Sequence, residues 1–211
     1  MTDRLDARPT DRDRVPPGQI LTRKWPVLHY GLVPHVAPSS WTFTVTGEVD
    51  RPLALNWAEF NALPRREVLC DIHCVTRWSR HDNVFRGVPV RAVLARAGLR
   101  ASSAAVLVHS AEGYTTNLTL AELDRPENLL ATHHNGEPLT AEHGGPVRLL
   151  VPALYLWKSA KWVTGFEVLD ENYPGFWEEN GYHMHGDPWR EERFGRPDPV
   201  RMRRGGRSQA R

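Results

Sequence analysis

From residue 41 to residue 169 the apolar residues fall in short segments, some strand-like and some helically spaced, with no βαβ rhythm ordering them. That pattern favours an α+β fold over a doubly wound parallel sheet, which needs a helix between successive strands. Trp41 to Val49 reads as a strand, and Asn56 to Asn61 as a short helix ended by the Leu63-Pro64 step. A second strand is expected around Glu67 to His73. Val90 to Ala97 has apolar residues at helical spacing and stops at Gly98. Ala105 to Val108 and Tyr114 to Leu118 read as short strands, and Leu120 to Leu123 as a helical turn before Asp124-Arg125-Pro126. Pro146 to Val151 is a buried strand and Val163 to Leu169 the last one. Asp170 to Phe194 is irregular and rich in Trp, Tyr, His, Gly and Pro.

The size fits one domain: 211 residues, 40% hydrophobic and 25% charged. Residues 19–195 are expected to hold it, flanked by disordered tails at 1–18 and 196–211 that lack hydrophobic periodicity. The second tail is basic. A net charge of +2 gives no field suited to nucleic acid, and the longest apolar runs fall far short of the roughly 20 residues of a membrane span. Residues 1–18 alternate acids and arginines without an apolar centre, so they read as neither a secretory nor a twin-arginine signal, and a cytoplasmic location is expected. Two cysteines agree with a reducing compartment. On one extended strand Cys70 and Cys74 would lie about 13 Å apart, too far for a disulfide.

Four constellations could carry chemistry. Histidines His133, His134, His143, His183 and His185 are candidate zinc ligands, but adjacent strand residues face opposite ways and no HExxH or CxxC accompanies them. Neither GxGxxG, GxxxxGK[ST] nor Gly-x-Ser-x-Gly occurs, so phosphate loops and a nucleophile elbow are missing. In Cys74-Val75-Thr76-Arg77-Trp78-Ser79 a cysteine leaves a strand for a turn, which suits a soft ligand at the edge of a core; a buried inert thiol is the other reading. Finally, Arg148, Lys158 and Lys161 flank one apolar strand, and they either meet anions there or snorkel to solvent.

In this order the segments CVTRWS, HGGPVRLLVP, WKSAKW and GFWEENGYHMHGDPW resemble the molybdopterin-binding oxidoreductase domain of the sulfite oxidase superfamily, over about residues 20 to 195. Its short single-domain bacterial members and the protein-methionine-sulfoxide reductase catalytic subunits are most alike. The resemblance implies the sulfite-oxidase-type fold and a molybdenum-molybdopterin cofactor without a nucleotide. Cys74 would ligate the metal, while His29, Ser110, His143, Arg148, Lys158, Ser159, Ala160 and Lys161 would hold the pterin and its phosphate. It implies oxygen-atom transfer to or from a small oxyanion, S-oxide or N-oxide, with an unidentified electron donor or acceptor protein as partner and neither nucleic acid nor membrane involved. His133 or His134 is expected to face the metal as a proton or hydrogen-bond donor, opposite a wall formed by the segment Tyr173 to Trp189. Thr132 stands where a tyrosine precedes Asn-Gly in animal and plant sulfite oxidases, and Trp78 where those enzymes carry an arginine-bearing segment. Both differences point away from sulfite, which needs cations beside the metal. Sulfite oxidation proper, a non-catalytic carrier of the cofactor and a zinc hydrolase are the alternatives.

Overall fold

The structure, a computed structural model, describes residues 12–195. The expected tails at 1–11 and 196–211 lie outside the described residues. Residues 12–18, expected as part of the first tail, run in turns against the body: the Arg14 guanidinium reaches Asp71 at 2.5 Å and Asp82 at 2.7 Å.

Two sheets make the fold. The first is built on the long strand β5 (Trp78–Pro89), with β1 (Ile20–Leu21) parallel to it and β4 (Arg66–Cys74) antiparallel. It continues through β8 (Leu129–His134), which pairs with both β9 (Glu137–Pro138) and β10 (Arg148–Leu150). The second sheet has the order β3 (Leu53–Asn56), β2 (Thr42–Gly47), β11 (Val163–Leu169), β6 (Ala105–Ser110), β7 (Thr115–Thr119). Only β2 and β11 run parallel in it. Few short helices accompany these strands, so the fold is α+β.

The helices end where local chemistry says they should. In α1 (Trp57–Asn61) the Asn56 side chain accepts from the Glu59 amide while Glu59 returns to the Asn56 amide. Thr119 and Glu122 do the same for α3 (Leu120–Leu123). The helix α2 (Val90–Ala97) stops at Gly98, whose φ of +69° a side chain would strain.

The main core lies between the sheets, where Trp41, Phe43, Val45, Val108 and Phe166 meet Val88, Leu130, Leu149 and one face of α2. A second cluster gathers Ile72, Phe85, Leu129, Ala131 and Leu150. Neighbours Leu129 and Leu130 thus serve different clusters, as do Leu149 and Leu150, because successive strand residues point to opposite faces. A sheet covered on both faces reads in sequence as a continuous apolar run.

The strands β5 and β8 were not expected. In β5 the inward positions include Ser79, hydrogen-bonded to His73 at 2.8 Å, and Asn83, donating to the carbonyls of Cys70 and Arg80. Buried polar groups there erase the alternation that marks a strand. The ladder between β4 and β5 also shifts register between Cys70 and Ile72, with Asp82 at φ +56°. The strand β8 ends in the turn Asn135-Gly136, both at positive φ, which returns the chain into β9.

Candidate active site

Cys74 is the last residue of β4, opposite Trp78 at the start of β5, and the Arg77 amide closes the turn onto the Cys74 carbonyl at 3.0 Å. Segments near both ends of the described residues hold this turn. Gln19 Nε2 donates to the Cys74 carbonyl at 3.0 Å, and Arg193 Nη1 donates to the Val75 carbonyl at 2.6 Å. The thiol is buried and accepts from Thr76 Oγ1 at 3.1 Å. Burial raises its pKa; Thr76 and the charges of Arg193 and Lys161 pull it back. Cys70 lies before the register shift, and burial with help from Asp71 and Glu127 pushes its thiol up to about 12. It packs against the second core cluster. Both thiols are free.

Across from Cys74 stand the cations. Arg148 opens β10 and is 2% exposed; its Nη1 donates to the His143 carbonyl at 2.8 Å and its Nη2 to the Ser159 carbonyl at 2.9 Å. Its Nε is buried without a partner, and the ring of Trp25 stacks beneath the guanidinium. Lys161 Nζ donates to the carbonyls of Leu28 at 2.8 Å and Glu142 at 2.5 Å. Burial lowers Arg148 to about 10 and Lys161 to about 8, the latter also repelled by Arg148. His143 is lowered by burial too, with Nε2 near the Trp25 carbonyl. Gly144, at φ +101°, permits this crowding: a Cβ there would fall 3.0 Å from Lys161 Cα.

These groups face one cleft of about 240 Å³. Cys74, His29, His143, Arg148, Ser159, Ala160 and Lys161 all line it, with Thr76 and Trp25. Aromatic rings close the rest, including Tyr114, Trp157, Trp177 and Tyr182. No Asp or Glu is part of the lining. A buried arginine with an orphaned N–H and a half-buried lysine, with no acid in the lining, fit an anionic group, and a single thiol in the same cleft fits a soft metal carried by that group.

Four expected site residues are placed elsewhere. Lys158 turns away from the cleft: its ammonium is wholly buried, 2.7 Å from Glu178 and bonded to Asn117 and Met184. Its sequence neighbourhood is that of Lys161, but the chain direction reverses its aim. Ser110 is buried with its hydroxyl unpartnered and does not line the cleft. His133 and His134 do not face it either. His134 sits behind Trp25, its Nε2 lying 3.1 Å from both Arg80 Nη1 and Asn83 Oδ1, and His133 Nδ1 lies 2.8 Å from Thr132 Oγ1. Both belong to β8, so the strand's pairing with β5 fixes their direction. The segment Tyr173 to Trp189 does reach the cleft, through Trp177 and Tyr182, whereas Trp189 is half exposed. Trp25, Tyr30, Tyr114 and Thr76 also line the cleft and were not expected there. Of these only Thr76 had a signal, its place inside CVTRWS.

His183 and His185 are paired with acids. His185 lies between Glu122 at 3.0 Å and Glu192 at 2.6 Å, and His183 is 3.5 Å from Glu192. Among the described residues no group of three or more His, Cys, Asp or Glu side chains is arranged to hold a metal ion. Nor is any described helix long and apolar enough to cross a membrane.

A cleft of this make, cationic, free of acids and holding one thiol, defines a site for an anionic organic cofactor with a soft metal. Residues 30–177 match the oxidoreductase molybdopterin binding domain, and the chain belongs to that family. It is a molybdopterin-dependent oxidoreductase. "Uncharacterized oxidoreductase YuiH" of Bacillus subtilis (strain 168) is 50% identical over 182 residues, 86% of this chain and 92% of that protein. "Putative protein-methionine-sulfoxide reductase subunit YedZ1" of Azospira oryzae is 28% identical over 81% of this chain and 66% of its own length. "Nitrate reductase [NADH] 2" of Phaseolus vulgaris is 28% identical over 74% of this chain, which spans only 21% of that enzyme. In fold, the sulfane dehydrogenase SoxCD of Paracoccus pantotrophus superposes with a TM-score of 0.64 at 21% identity, covering 68% of this chain and 42% of that one.

Proposed function

We propose that this chain is a molybdenum enzyme that transfers an oxygen atom to or from a small S-oxide or N-oxide. The observation carrying the proposal is that the Cys74 thiol and the unneutralised Arg148 and Lys161 open onto one cleft without acids. Cys74 would hold the metal through sulfur, with the pterin phosphate held by Arg148 and Lys161. His29, His143 and the backbone around Ser159 and Ala160 would hold the pterin, in its form without a nucleotide. When bound, the cofactor supplies a two-electron redox metal with an exchangeable oxygen position.

The chain's own residues prepare that chemistry. Burial raises the Cys74 thiol, and Thr76 Oγ1 with the nearby cations offsets part of that rise toward the thiolate that a soft metal requires. The rings of Trp157, Trp177 and Tyr182 give the cleft a large apolar surface. The Tyr182 phenol is raised above its usual pKa by burial and by the Cys74 charge, so it stays protonated and can donate a hydrogen bond to a substrate oxygen. In the reductive direction an S-oxide takes two electrons and two protons to give a thioether and water. Apart from its cations the lining is largely aromatic, which suits an uncharged S-oxide or N-oxide. The electrons would pass to or from a separate donor or acceptor protein. A cytoplasmic site of action belongs to the same proposal and is supported by the two free thiols.

The test is metal analysis of the purified protein, release of the pterin as its fluorescent oxidised derivative, and reduction of methyl sulfoxides by reduced benzyl viologen. Molybdenum and pterin in equal amounts with sulfoxide turnover are expected. One zinc per chain and no pterin would overturn the assignment.

A further inference from the structure

The aromatic wall of the cleft rests on a buried ion pair that none of the steps above uses. Lys158 and Glu178, both with wholly buried side chains, lie 2.7 Å apart. Glu178 Oε1 also accepts from Trp157 Nε1 at 2.7 Å and from Thr116 Oγ1 at 3.2 Å. Lys158 Nζ donates to Asn117 Oδ1 and the Met184 carbonyl, each at 2.7 Å, and to the Asn117 carbonyl at 3.0 Å.

Three rings that line the cleft sit on the stretches of chain these bonds hold. Trp157 is held directly by Glu178. Trp177 is the neighbour of Glu178 on the short helix α4 (Phe176–Glu179). Tyr182 precedes Met184 by two residues; it stacks on Trp177 at 4.9 Å and meets Trp157 edge-on at 5.1 Å. The segment can seat against β7 because Gly175 has no side chain: a Cβ there would lie 2.5 Å from Thr116 Cα. Glu178 and Lys158 therefore join two stretches of chain, residues 157–158 and 176–184, to the edge strand β7.

Burying such a pair costs desolvation that apolar residues of the same size would avoid, so stability alone does not account for it. What the pair adds is direction, since its hydrogen bonds fix one ring orientation where apolar packing allows several. We propose that Lys158 and Glu178 are positioning residues that fix Trp157, Trp177 and Tyr182 and thereby set the size of S-oxide the cleft admits. The size claim rests on the oxygen-transfer reading given above; the ring-fixing claim does not.

The experiment uses the double variant Lys158→Met with Glu178→Gln, which removes both charges at nearly constant volume and leaves no lone buried ion. Protein labelled with 5-fluorotryptophan gives fluorine resonances for Trp157 and Trp177, assigned by single Trp→Phe changes. Turnover of dimethyl sulfoxide and of methyl phenyl sulfoxide with reduced benzyl viologen is normalised to molybdenum content. The expected result is that these two resonances shift or broaden more than those of the other tryptophans, and that the kcat/KM ratio of the bulky to the small sulfoxide changes about tenfold, mainly through KM. Lys158→Arg, which keeps the charge, should restore both readouts in part. If the double variant does not fold, Glu178→Asp, which keeps both charges but draws the carboxylate back from Trp157, is read in the same way. Unmoved resonances overturn the proposal whatever the kinetics. Moved resonances with an unchanged ratio overturn the size claim alone, and a wild-type protein that reduces neither sulfoxide overturns the reaction and the size claim together.

Discussion

Replacing Arg148 by methionine tests the anion clamp most directly. The guanidinium is held by two carbonyls and keeps its buried Nε unpartnered. Burial brings its pKa down from 12.5 to about 10. At about 1.36 kcal/mol per unit, this is roughly 3 kcal/mol working against the charged form. A phosphate in the cleft removes that penalty, so the clamp's contribution to cofactor binding should be of the same order. Arg148→Met keeps an apolar stem of similar length and loses the charge. Without cofactor the variant gives up two charge-assisted hydrogen bonds, about 1.5–3 kcal/mol each, and regains the desolvation, so its stability should fall by about 0–3 kcal/mol. With cofactor, affinity should drop by roughly 3 kcal/mol, on the order of 100-fold. The assay is pterin released per chain after purification, alongside a melting curve of the cofactor-free protein. Full pterin occupancy with an unchanged melting temperature would refute the reasoning and place the phosphate elsewhere.

Cys74→Ser should abolish both molybdenum retention and turnover while the far-ultraviolet circular dichroism stays that of the parent; Cys70→Ser should cost about 1 kcal/mol of stability and leave the metal content alone. Gly144→Ala forces a left-handed φ on a side chain and pushes on Lys161, so denaturant melts should show a loss of about 1–3 kcal/mol and the purified protein should carry less pterin. His134 is brought down to about 4 by burial and then by Arg80, against 6.5 when unfolded. Between those values the unfolded chain binds more protons, so stability falls as pH drops from about 6.5 to about 4, by up to about 2 kcal/mol for this partly exposed ring. His134→Gln should flatten that stretch of the stability profile and leave turnover per molybdenum unchanged; a profile as steep as the parent's would show that other groups cause the slope.

What the sequence made legible were groups whose chemistry is announced by a neighbour in the chain. Cys74 ends an apolar strand and begins a turn, and Arg148 stands at the head of Arg-Leu-Leu-Val, so each has a position that local pattern fixes. The α2 helix was legible for the same reason, since its apolar residues keep one helical period. The strand β11 was legible from its Val, Phe and Leu content, although its alternation breaks at the register shift between Val163 and Gly165. Direction was the thing that pattern did not carry. Lys158 and Lys161 look alike in WKSAKW, and only Glu178, twenty residues on from Lys158, decides which of them is buried away from the cleft. His133 and His134 were misplaced because β8 was not recognised: its pairing with β5 sets their facing, and β5 was itself obscured by buried Ser79 and Asn83.

The cleft's charge explains why the remaining lining residues come from far apart. A soft thiolate and two cations must share a small space, and an acid among them would neutralise the cations before any ligand arrived. The lining must therefore be made of groups without charge, and large rings fill such a space at low entropic cost because each has few rotatable bonds. Rings of that size have to be drawn from several segments: Trp25 and Tyr30 precede the first core strand, Tyr114 precedes β7, and Trp177 and Tyr182 follow β11. Their polar atoms then need partners outside the cleft, which they find in the Tyr114 hydroxyl donating to the Trp157 carbonyl at 2.6 Å and the Trp157 indole donating to Glu178. The acid that the cleft excludes thus reappears one layer behind it, paired with the lysine that the cleft does not use.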